Sequence, residues 1–98
     1  MSKIENFKQV LGKLKNSKSG AVRIACTSEQ RVVVEKCLAT VAGFPYVDKR
    51  KYATTYFLPS GSRIILLHEK LVGPLLKSKI EFDIRKWTEE KIKEFFKL

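Results

Sequence analysis

Ile64, Ile65, Leu66 and Leu67 follow one another with no polar residue between them. A strand that is apolar at every position has no wet face, so it must be covered on both. Its neighbours fix its partner. Pro59-Ser60-Gly61-Ser62 just before it is a cluster of turn formers, and Tyr52 to Leu58 before that is rich in Tyr, Thr and Phe. Those residues suit a pleated, half-buried surface. Two such runs around one turn cluster define a hairpin. The fold is therefore expected to centre on a hairpin with a buried strand at 64–67 and a more open strand at 52–58. The basic triplet Lys49-Arg50-Lys51 leads into it.

The remaining elements follow from periodicity and caps. Ile4, Phe7, Val10, Leu11 and Leu14 recur at steps of three and four, which predicts an amphipathic helix over 3–15. Asn16 to Gly20 ends it. Ala21 to Cys26 reads as a short strand. Thr27 with Gln30 three places on has the capping-box pattern, and the helix it opens is expected to reach about Ala42 and stop at Gly43. Phe44 to Asp48 reads as a connecting loop. A short helix restarts at Pro74, which tolerates the first helical position. Ile80, Phe82 and Ile84 alternate with Glu81 and Asp83, the signature of an edge strand with one wet face. Thr88 caps a last helix, with Glu89 and Glu90 in its first turn and Trp87 placed to staple onto Ile92.

Taken in order, the elements are helix, strand, helix, strand, strand, short helix, strand, helix. The inner six, β-α-β-β-α-β, resemble the ferredoxin-like split arrangement. The resemblance implies one α+β domain over residues 1–98, with a four-stranded, mainly antiparallel sheet in the order 4-1-3-2. The N- and C-terminal helices are additions that cover the face such a sheet leaves open. The RNA-recognition version of this fold stacks bases on aromatic residues of the first and third strands. Residues 21–26 and 63–68 contain none, so the resemblance ends at element order.

Charge narrows the partners. Twenty Lys and Arg face ten Asp and Glu across 98 residues, a net charge of +10. Net charge speaks to partners rather than to fold, and the polyanions that answer it are DNA and RNA. No apolar run approaches the roughly 20 residues that span a bilayer, and the start has no signal-peptide core. The expectation is a cytoplasmic protein with no membrane partner. Cys26 and Cys37 are the only thiols and His68 the only histidine, so a structural zinc site lacks ligands and no cofactor is expected. Asn and Gln occur twice each beside abundant Lys and Ile, a mild thermophile flavour.

The basic and aromatic residues of the hairpin are the leading candidates for contact: Lys49, Arg50, Lys51, Tyr52, Tyr56 and Arg63. Lys and Arg neutralise phosphates, and Tyr stacks on exposed bases. Lys13, Lys15 and Lys18 around the end of the first helix supply a second set. The expected function is a small, non-enzymatic nucleic-acid-binding protein that uses this hairpin arm and the first helix. Two alternatives remain beside it. One is an assembly module, such as a viral or mobile-element adaptor, forming a homodimer through the strand bearing Tyr52, Thr54 and Tyr56. The other is a metal-dependent nuclease using Asp48, Glu69 and Lys70. Nucleases of this kind set acid and lysine two apart on a strand; Glu69 and Lys70 are adjacent and would face opposite ways. His68 reads as a strand-end residue rather than a general base.

Overall fold

Three helices begin where a side chain satisfies their first amides. The computed structural model describes residues 6–40, 44–73 and 79–96. Helix α1 (Phe7–Lys15) starts at Asn6, whose side chain accepts from Gln9 N while Gln9 returns a bond to Asn6 N. Helix α2 (Ser28–Ala39) starts at Thr27 with the same reciprocal pair to Gln30. Helix α3 (Glu89–Phe95) starts at Thr88, which accepts from Lys91 N. Each cap offsets orphan amides that would otherwise be lost to folding. α2 ends at Ala39 with Thr40 as its cap, earlier than expected. The expected stop at Gly43 and the restart at Pro74 lie outside the described residues.

The strands are β1 (Ala21–Cys26), β2 (Tyr46–Lys49), β3 (Ala53–Phe57), β4 (Arg63–His68) and β5 (Phe82–Asp83). They form one five-stranded mixed sheet in the order β2-β3-β4-β1-β5. The hairpin of β3 and β4 is antiparallel, as expected, with Tyr56 opposite Ile64 and Thr54 opposite Leu66. The four-stranded, mainly antiparallel ferredoxin-like sheet is not what forms. Residues 46–49, expected as the end of a loop over 44–48 and the first residue of the basic triplet, make a fifth strand antiparallel to β3. One added strand reverses the direction of every strand after it. The central pair β1 and β4 is therefore parallel, Ala21 opposite Arg63 through Cys26 opposite His68. β5 also runs parallel to β1.

The core lies on one face of this sheet. Ile24 and Cys26 of β1, Ile64 and Leu66 of β4, and Tyr56 of β3 point to that face at the period of two. They join Phe7, Val10, Leu11 and Leu14 of α1, Val34 and Leu38 of α2, and Ile92 and Phe95 of α3 in one cluster. Phe96 closes it, its ring tilted against Phe7 at 4.8 Å, while Trp87 meets Phe95 edge-on at 5.2 Å. The terminal helices thus pack on each other as well as on the sheet. On the opposite face Ala25 and Leu67 are buried, but Ile65, Thr55 and Phe57 stay half-exposed.

Cys26 and Cys37 are free thiols. Burial pushes the Cys26 thiol up to about 12, and burial likewise pushes the Tyr56 hydroxyl up to about 12. Both groups ionise more readily in the unfolded chain than in the fold. Their stabilising effect is complete below about pH 9 and is lost as pH rises toward 12. The unfolding free energy is expected to fall by on the order of 2 kcal/mol between about pH 8 and about pH 10.5. Urea midpoints at the two pH values measure this, and an unchanged midpoint would contradict it.

Candidate functional site

Gln30 sets the angle of α2. Its amide nitrogen donates to Ile84 O at 2.6 Å and also reaches Arg85 O and Trp87 O. With that side of the helix tied to the 84–87 turn, the residues Ser28, Arg31, Val32 and Glu35 form a stripe along the other side, at steps of three, one and three. This stripe is one wall of an open cleft of about 630 Å³. The facing wall comes from Lys49, Lys51 and Tyr52, and the inner end from His68, Glu69 and Lys70. The cleft sits beyond the carboxyl ends of the parallel strands β1 and β4, the position where open sheets with parallel central strands commonly hold ligands.

Each wall is fixed by hydrogen bonds. Arg31 donates to Lys51 O at 2.9 Å and to Arg50 O at 3.2 Å, pinning the turn between β2 and β3. That turn is itself closed by Arg50 N donating to Ala53 O. Glu35 accepts from Thr54 Oγ1 at 3.1 Å and pairs with Lys49 at 3.5 Å. Tyr52 lies against His68 with ring centroids 5.5 Å apart. The Lys51 and Lys70 ammonium groups sit 5.3 and 5.7 Å from the Tyr52 ring centroid, within the reach of cation–π attraction. Four cations and two carboxylates therefore line the same cleft as this aromatic ring.

His68 ends β4, as its sequence context suggested, and is 7% exposed. Its Nδ1 accepts from Lys70 N at 3.1 Å, and its Nε2 is 2.6 Å from Ser28 Oγ. A ring nitrogen that accepts an amide proton carries none itself. The neutral ring then holds its proton on Nε2 and donates it to Ser28. A general base would need the reverse, accepting the serine's proton at that nitrogen. The pair therefore orients the Ser28 hydroxyl rather than activating it.

The sequence candidates separate into two groups. Lys49, Lys51 and Tyr52 do come together in the cleft. Arg50 flanks them but is held by Asp48 at 3.1 Å. Tyr56 is a correction: it is 5% exposed, packed against Phe44 at 5.2 Å, and has no face to offer a base. Arg63 stands at the other end of β4, five residues from His68 and about 17 Å away at the rise of a strand. Lys18 is at that end too, where the Lys18 carbonyl approaches Gly61. Lys13 borders a separate apolar groove with Val10, Leu14, Val22 and Phe82. Lys15 closes α1 beside them.

The hairpin does not project as an arm. Ser60 Oγ donates to Leu14 O and Ser62 Oγ to Ser17 O, so its tip is docked on the loop after α1. Sequence reasoning did not name Ser28 or Arg31, and named Glu69 and Lys70 only for the nuclease alternative. The only available signal was that Arg31 and Glu35 fall off the apolar stripe of their helix. Among the described residues no group of three or more His, Cys, Asp or Glu side chains is placed to hold a metal, and no helix is long and apolar enough to cross a membrane. The chain matches no protein-family model, no curated protein and no solved structure.

Proposed function

We propose that the protein binds nucleic acid through the cleft, as a binding module, with Lys51, Lys70, Lys49 and Arg31 meeting phosphate and Tyr52 meeting base or sugar. The observation that supports this is the convergence itself. Arg31 comes from α2, Lys49 from β2, Lys51 from the turn and Lys70 from beyond β4, and all four border one space. Like charges are gathered at a cost in repulsion, which an anionic ligand offsets.

The test separates this cleft from the basic residues at the far end of the sheet. Lys51→Glu with Lys70→Glu is expected to weaken binding of labelled single-stranded DNA or RNA about 50-fold, read by anisotropy at two salt concentrations. Lys15→Glu with Lys18→Glu changes the net charge by the same amount and is expected to change affinity less than about threefold. The opposite ranking would move the interface to the far end. A homodimer through an edge strand is a second reading, and the structure changes where it would act. On the side of β3 the edge strand is β2, with Tyr46 60% and Val47 43% exposed, so that dimer would pair β2 rather than the strand bearing Tyr52, Thr54 and Tyr56.

A further inference from the structure

We infer that the cleft takes a single phosphomonoester group, the phosphorylated end of a nucleic-acid strand, with Ser28 as its hydroxyl donor. This rests on the nucleic-acid reading above and narrows it.

The layout of charge limits how much of a strand fits. A continuous backbone needs an uninterrupted cationic track. Here Glu35, bonded to Thr54 and paired with Lys49, and Glu69 both line the cleft among its four cations. Two carboxylates among the cations repel a row of phosphates more than a single one. The four cations less the two acids leave two positive charges, which match the charge of about −1.5 to −2 on a phosphomonoester rather than the single charge of an internal diester. The volume, about 630 Å³, falls in the roughly 300–1,000 Å³ range of sites that hold one small molecule, room for a terminal nucleotide rather than a length of strand.

Ser28 supplies the directed contact. Its oxygen accepts the Nε2 proton of His68 at 2.6 Å, so its own proton cannot point at the ring and is free to turn outward. Ser28 is exposed and lines the cleft. A hydroxyl held in this way meets a charged oxygen with little ordering left to do. Tyr52, with a lysine ammonium near its ring on either neighbouring segment, offers a flat wall for the terminal sugar or base.

The experiment uses one internally labelled single strand prepared with a 5′-phosphate, a 3′-phosphate or hydroxyls at both ends. Inorganic phosphate and a nucleoside monophosphate serve as competitors. One phosphorylated form is expected to bind about tenfold tighter than the hydroxyl form, the size of one hydrogen bond to a charged group. Ser28→Ala should remove most of that advantage by weakening the phosphorylated form more than the hydroxyl form, and Ser28→Thr should retain part of it. If all three forms bind equally and Lys51→Glu with Lys70→Glu still weakens them, internal phosphates fill the cleft; the end-specific inference is overturned and the nucleic-acid reading stands. If no strand binds but the monophosphate does, the ligand is a free phosphomonoester and the nucleic-acid reading fails. If nothing binds, both fail.

Discussion

Replacing Phe7 with alanine is expected to lower the unfolding free energy by about 3–5 kcal/mol. Phe7 is fully buried, and its ring meets Phe96 at 4.8 Å and Phe95 at 6.4 Å. The substitution removes the apolar transfer energy of the ring and leaves a cavity between two helices that cannot easily collapse. A domain of this size has a total stability of roughly 5–15 kcal/mol, so the loss is a large part of the whole. The expected readout is a lower urea midpoint with an unchanged slope, since the surface exposed on unfolding stays nearly the same. Phe7→Leu keeps most of the volume and is expected to cost less than half as much. A shift below about 1 kcal/mol for the alanine variant would mean that α1 is not part of the cooperative core.

Gly61→Val is the second large effect, expected at about 3–5 kcal/mol. Gly61 has φ of +97°, a conformation that β-branched residues avoid. A Cβ there would lie 2.5 Å from the Lys18 carbonyl oxygen, a backbone atom with nowhere soft to yield. Relieving the clash means lifting the turn from the α1–β1 loop. That would break the bonds from Ser62 Oγ to Ser17 O and from Gly20 N to Ser62 Oγ, at 2.7 and 3.2 Å. Ser62 is fully buried, so its hydroxyl would be left without a partner or be forced to water. Gly61→Ala meets the same contact with a smaller group and is expected to cost about half as much. Thermal unfolding with a control at exposed Gly12, where an added Cβ meets nothing within 4 Å, separates the clash from the general loss of a glycine.

The two positions also explain what the chain made legible. Its local signals were sound. Thr27 with Gln30, and Thr88 before a pair of glutamates, start helices because the capping partners are three residues away. The apolar run at 64–67 and the turn before it gave the central hairpin for the same reason. What the residues did not disclose depends on distant partners. Tyr46 to Lys49 is four residues long, follows a proline and is largely exposed, so nothing in its pattern marks a strand. It becomes one because β3 offers an edge. That single strand decides the parallel direction of the centre, so one unread element altered the topology.

The cleft was half legible. Lys49, Lys51 and Tyr52 stood out because they are neighbours in sequence, while Arg31 and Lys70 reach the same space from elsewhere in the chain. Tyr56 shares the even parity of Tyr52 and Thr54 and so lies on the same face of β3. Parity cannot give depth, and Tyr56 lies within the core cluster rather than at the cleft end.

The parallel pairing of β1 with β4 carries a consequence for synthesis on the ribosome. Ala21 finds its partner at Arg63 and Cys26 finds its own at His68, so the middle of the sheet joins segments more than 40 residues apart. Until the second segment has left the exit tunnel, β1 has neither of its neighbours, because β5 is made later still. The β2–β3–β4 meander is the one part of the sheet that assembles from contiguous chain. The nascent protein therefore holds its first strand unpaired until β4 has followed it out. Long-range pairings of this kind slow folding by the loop entropy they must overcome.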